Sequence, residues 1–228
     1  MSFQKIQIKR DILRPVEEIL EKTIADNDYT GILNSLNCIL DIYEEIDLAE
    51  SEMLKIWNDI ISDIIGAIHS ASSGFYRLAL ISLRSTLELA CSSFYYIDHK
   101  IEYFMYQSHN LAADKYVSTL VNQHYFFTTK YIESFNQNIN LVQSKEDSIS
   151  TFLKSLYGDL CDIVHGRFNT LTKANSLSIK YNKELFKRFE KFFNQTLSII
   201  AVMFILRFDK KTNQDVVNLA NFCKVVNI

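Results

Sequence analysis

Gly74-Phe-Tyr-Arg-Leu-Ala-Leu-Ile-Ser-Leu-Arg-Ser-Thr-Leu-Glu-Leu-Ala-Cys-Ser-Ser-Phe-Tyr-Tyr-Ile-Asp98 decides the fold class. At 100° per residue, Phe75, Leu78, Ala79, Leu83, Thr86, Leu87, Ala90, Phe94 and Ile97 cover most of its circumference. A helix apolar nearly all round is buried, so this segment is the expected centre of a bundle. The remaining narrow stripe is Arg77, Ile81, Arg84, Glu88, Cys91 and Tyr95. Arg84 and Glu88 stand four apart and face the same way, either as a self-satisfying ion pair or as the lining of a polar groove.

Working outward, the 3.6-residue period predicts further helices at 12–25, 30–47, 51–72, 111–136, 147–165, 182–207 and 213–226. Breaks fall at Asp26-Asn-Asp, Ser72-Ser-Gly, Gln107-Ser-His-Asn, Asn136-Gln-Asn-Ile-Asn, Gly166 to Ser178 and Asp209-Lys-Lys-Thr-Asn. No segment alternates with period two. With 5 Gly and 1 Pro in 228 residues, chain breakers are scarce. Pro15 opens a helix at a position where its missing N–H costs nothing. The expected architecture is all-α: one multi-helix bundle (73–228) with an acidic N-terminal helical extension (1–72) packed on it.

Charge is unevenly placed. Residues 1–70 carry 6 Lys+Arg against 14 Asp+Glu, and residues 71–228 carry 18 against 13. The two parts therefore face different partners or each other, or present solvated faces of opposite sign. Glu44, Glu45 and Asp47, followed by Glu50 and Glu52, concentrate the acid around a helix junction.

Cys38, Cys91, Cys161 and Cys223 are far apart and form no zinc-type pair, which suits a reduced cytoplasmic protein. The apolar run Leu197–Leu206 is shorter than the ~20 residues that span a bilayer, so it reads as a core helix and no membrane partner is expected. Asp98-His99 and His109 with Asp114 offer ligand-type side chains but no helical pair, and no metal or cofactor is expected. The absence of a glycine-rich phosphate loop, GxSxG and HExxH removes support for nucleotide hydrolysis, serine hydrolase and zincin chemistry.

A second helix, ending Tyr157-Gly-Asp-Leu-Cys-Asp-Ile-Val-His165-Gly166, places Ile149, Phe152, Leu153, Leu156, Leu160, Ile163 and Val164 on one face. Tyr157, Cys161 and His165 form an i, i+4, i+8 ridge beside it. A histidine in the last turn is either a cap favoured by the helix dipole or a general acid/base.

Together, the Leu-Arg-Ser-Thr-Leu-Glu helix and the Tyr-Gly-Asp-Leu-Cys-Asp-Ile-Val-His-Gly helix resemble the HEPN superfamily, notably divergent members among prokaryotic phage-defence and toxin proteins. The resemblance covers residues 74–207. It implies a metal-independent RNase or RNA-binding domain, often a dimer, with His165 as the family histidine. Gly158, Asp159 and Leu160 stand where the family's arginine would precede that histidine. Arg84 or Arg167 would then supply the cation, with Tyr157 orienting the phosphate and Glu88 completing the set. The other implied reading is a non-enzymatic subunit that docks on a larger effector.

Two further surfaces bear on partners. Lys180, Lys183, Lys187, Arg188 and Lys191 lie largely to one side of a helix, opposite Tyr181, Leu185, Phe189 and Phe192. Such a face binds phosphates or is simply solvated, Glu184 and Glu190 being interspersed. Tyr95, Tyr96, Tyr103, Phe104, Tyr106, Tyr125, Phe126, Phe127 and Tyr131 form an aromatic zone for core packing, base stacking or a protein interface. The expected partners are RNA and either another protein or a second copy of the chain.

Overall fold

The computed structural model describes residues 5–108, 115–165, 180–209 and 213–228. Among them the chain is all-α, with twelve helices and no strand beyond one isolated bridge, Gln143 to Val226. A short α1 (Lys5–Ile8) runs through a π turn (Lys9–Leu13) into α2 (Arg14–Asp26). Then come α3 (Thr30–Ala49), a 3-10 turn (Ser51–Met53), α4 (Leu54–Ser72), α5 (Tyr76–Asp98) and α6 (Lys100–Gln107). The second half holds α7 (Val117–Gln123), α8 (Thr129–Glu133), α9 (Ile139–Val142), α10 (Ser148–Val164), α11 (Lys183–Phe208) and α12 (Gln214–Asn221).

The expected central helix is central. α5 packs against α4, α10, α11, α7 and α6. Its closest partner is α4, where a Cβ added to Gly66 would stand 4.0 Å from Ser82 Oγ. The turn between them is a Schellman close. Phe75 N–H bonds to Ser70 O, Gly74 N–H bonds to Ala71 O, and Gly74 takes φ 82°, a conformation glycine adopts without a Cβ penalty.

α11 is the second axis and packs on α12, α5 and α3. Its 26 residues are long and apolar enough to cross a membrane by length and composition, yet 78% of the apolar window is buried inside the bundle. It begins cleanly because the Asn182 side chain accepts from Leu185 N–H. α3 and α4 contribute Ile32, Ile39, Ile42, Ile46, Trp57, Ile60 and Ile64 to the same core. Trp57 donates its indole N–H to Ser93 Oγ at 2.8 Å, satisfying a buried donor.

One expected helix is broken. In place of a continuous 111–136, α7 stops at Gln123, and Tyr125 and Phe127 both take positive φ (53° and 52°). Phe126 N–H closes back onto Leu120 O, and the turn drives Phe126 and Phe127 into the core beside Phe94 and Tyr131. Burial of two large rings outweighs the left-handed strain of about 1–2 kcal/mol per residue. The expected helix 213–226 likewise ends early, at Asn221, and the following tail is tied to Val142 and Ser144 by backbone hydrogen bonds.

Candidate functional site

α5 and α10 run antiparallel with their polar ridges facing. Going up α5, Arg77 Nη2 donates to Val164 O at 2.8 Å. Arg84 Nε donates to Cys161 Sγ at 3.3 Å, and Arg84 Nη2 donates to Tyr157 Oη at 3.0 Å. The same Nη2 lies 2.8 Å from Glu88 Oε1, which also accepts the Tyr157 hydroxyl at 2.6 Å. Four of the residues singled out from sequence, Arg84, Glu88, Tyr157 and Cys161, thus form one hydrogen-bonded knot. The stripe closes below it, Cys91 and Tyr95 being wholly buried.

The knot is partly shielded: the Arg84 and Glu88 side chains are 21% and 22% exposed. Burial works against the Arg84 charge, but its hydrogen bonds to Tyr157 and Cys161 and the charge of Glu88 outweigh it, raising its pKa further. For Tyr157, burial and then the hydrogen bond to Glu88 push the phenol pKa up, against the opposing pull of Arg84. The phenol therefore keeps its proton at neutral pH. Such a group donates a hydrogen bond to an anion and does not act as a base.

His165 lies one turn beyond Cys161, about 6 Å further along the helix axis. It is the exposed C-cap of α10, its backbone N–H bonded to Cys161 O. No other described residue is hydrogen-bonded to its ring. Through Val164, Arg77 is the arginine in register with His165, whereas Arg84 engages the two turns before it. Arg167 lies outside the described residues.

Three other helix ends meet at this pole. Tyr76, at the start of α5, accepts from the backbone N–H of Asn182 at 2.9 Å, fixing the start of α11 beside it. The Tyr181 hydroxyl accepts from Asn27 Nδ2 at 3.2 Å, and Lys22 Nζ stands 5.4 Å from the Tyr181 ring. Lys180 and Lys183 are exposed here, and Lys187 and Lys191 continue the exposed stripe up α11, with Glu184 exposed and Glu190 half-buried between them. The pole gathers an imidazole, Arg77 and lysines with the amino ends of α5 and α11, all suited to binding an anion.

A second network joins residues that no sequence motif connects. Tyr95 Oη donates to Glu102 Oε1 at 2.9 Å and lies 3.1 Å from His124 Nδ1. Lys115 Nζ stands 2.6 Å from Glu102 Oε2, and His99 stacks on the Tyr95 ring at 3.9 Å. Burial, and then the charge of Lys115, lower the His124 pKa. Asp98 accepts two hydrogen bonds from Arg207 and one from Tyr131, and His99 Nδ1 lies 2.9 Å from Tyr95 O. His109 and Asp114 lie outside the described residues. Among the described residues, no three His, Cys, Asp or Glu side chains gather around a metal-sized site.

Most of the aromatic zone is core: Tyr95, Tyr96, Tyr103, Phe126 and Phe127 are buried, while Phe104 and Tyr125 are exposed. No family model matches the chain, and no curated protein or solved structure shows detectable similarity to it.

Proposed function

We propose that the protein is an HEPN-like helical component of a prokaryotic defence or toxin module that engages RNA at the His165 pole without a metal. The observation that carries this reading is that the end of α10 and the starts of α5 and α11, which carry exposed His165, Arg77, Lys180 and Lys183, lie at one end of the bundle. Phosphate is the ligand such a set suits, since lysines and arginine neutralise it and release counterions. An imidazole next to a bound phosphodiester can take the proton of an attacking 2′-hydroxyl. Arg84, Glu88 and Tyr157 then act as a brace that fixes α10 against α5 and so sets where His165 points.

Cleavage of single-stranded RNA in EDTA by wild type and His165→Ala tests the catalytic version. Loss of cleavage with an unchanged circular dichroism spectrum supports it. Equal cleavage by both proteins removes His165 from the chemistry.

A second reading is a non-enzymatic subunit that docks on a larger effector. It is favoured by the engagement of Arg84 with Glu88, which neutralises the cation that a displaced HEPN site would need. In this reading His165 only caps α10 and RNA is neither cut nor bound.

A further inference from the structure

The first described residues form a basic helical arm whose apolar side chains the described bundle leaves exposed. α1 buries no residue, packs chiefly on the π turn that follows it, and the first buried side chain in the described chain is Ile19. Ile6 is 73% exposed and Leu13 is 53% exposed, a strongly apolar edge to leave in water. Around them stand Lys5, Lys9, Arg10 and Arg14, the last 3.6 Å from Glu18, with one acid, Asp11, between residues 5 and 14.

The opposite pattern is presented elsewhere on the molecule. A groove of about 240 Å³ between α3, the end of α11 and α12 is lined by Asp41, Glu44, Glu45, Leu48, Phe204 and Val216. Leu48 on its rim is 84% exposed. Residues 41–52 contain six acids and no base, and the described lining holds no lysine or arginine. Lys100 pairs with Glu50 and Glu52 at the far end of this run, and Asp41 accepts a hydrogen bond from Asn213 Nδ2 at 2.7 Å.

We infer that the arm of one copy docks in the Asp41–Leu48 groove of a second copy, and reciprocally, in a two-fold dimer. The match is one of charge and of form. Each side is an apolar edge flanked by charge, positive on the arm and negative on the groove. The arm from Lys5 to Arg14 is about 14 Å of helix, and Asp41 to Leu48 about 11 Å, at 1.5 Å per residue. Complementary charge fixes register and suppresses wrong pairings, and the leucine and isoleucine contacts supply the burial. A two-fold arrangement uses both surfaces twice, so each contact is made in duplicate. This interface stands apart from the RNA reading and needs none of its residues.

The test is the mass of the full chain by analytical ultracentrifugation across concentration. It compares wild type, Lys5→Glu/Lys9→Glu, Glu44→Lys/Glu45→Lys and the four-fold variant that combines them. The expected result is a wild-type dimer, at least tenfold weaker in either double variant and restored in the combined one. An Ile6→Ser/Leu13→Ser variant, which leaves charge intact, should weaken the dimer as well. A monomer at all concentrations overturns the inference, as does a dimer indifferent to both reversals. Sedimentation with phosphatidylserine vesicles is run in parallel; arm-dependent capture of a monomer would assign the arm to a lipid surface and also overturn it.

Discussion

Tyr157 and Glu88, 69 residues apart in sequence, are joined by a 2.6 Å hydrogen bond from the phenol to Oε1. Because the same phenol accepts from Arg84 Nη2 and the same carboxylate oxygen meets that guanidinium, the three groups satisfy one another within the α5–α10 interface. Tyr157→Phe removes one donor and one acceptor and should cost about 1–2 kcal/mol. Glu88→Ala strands a partly buried arginine and should cost about 1–3 kcal/mol, less than a fully buried pair because both side chains keep some water. Urea denaturation measures both; a neutral effect of Glu88→Ala would contradict the bracing role.

The two glycines flanking this interface behave oppositely. Gly74 holds φ 82° in the Schellman turn before α5, so Gly74→Ala should destabilise by about 1 kcal/mol, lowering Tm by about 2–4 °C. Gly158 sits exposed inside α10, and a Cβ there would meet nothing within 4 Å. Gly158→Ala should therefore stabilise by about 0.5–1 kcal/mol. If RNA binding falls in a Gly158→Ala protein that melts higher, the ligand approaches the α10 backbone closely at that point.

His124 provides a pH signature. It faces Tyr95, Glu102, Lys115 and His99, and its folded pKa lies below the ordinary 6.5. The unfolded chain thus takes up the proton first, so stability present above pH 6.5 is lost as pH falls through the window down to the folded value. Glu102, also lowered, adds a loss of the same sign below its ordinary 4.5. Thermal melts from about pH 7.5 to about pH 5.5 should show a decline that His124→Asn reduces. An equal decline in the variant would mean that other groups carry it.

The legibility of the chain follows from which signals are local. α5, α10 and α11 are readable because an apolar circumference or face is written in consecutive residues, and the Ser72-Ser-Gly break announces its turn. The turn at Tyr125–Phe127 is not, since no glycine or proline marks it and its cause is the burial of Phe126 and Phe127 among distant rings. Arg84, Glu88 and Tyr157 each stand out in the sequence, but their union depends on the antiparallel register of α5 and α10, a tertiary fact. Tyr95, His99 and Glu102 do carry helical spacing, at i, i+4 and i+7. The density of aromatic residues in the region hides that signal, and Lys115 and His124 join it from another segment.

The charged stripe of α11 gives a salt test. Removing Lys183, Lys187 and Lys191 should lower the slope of log affinity against log salt by about one unit for each phosphate they neutralise. An unchanged slope would leave these lysines as a solvated face.

The most direct measurement is an anisotropy titration of a labelled single-stranded RNA in EDTA at ~50 and ~200 mM salt. It compares wild type with Lys180→Ala/Lys183→Ala/Lys187→Ala and with Lys55→Ala/Lys130→Ala/Lys145→Ala, which removes three exposed cations elsewhere. RNA engagement at the His165 pole predicts salt-sensitive binding that weakens about tenfold or more in the first variant and little in the second. No binding by wild type, or equal weakening in both variants, would contradict it.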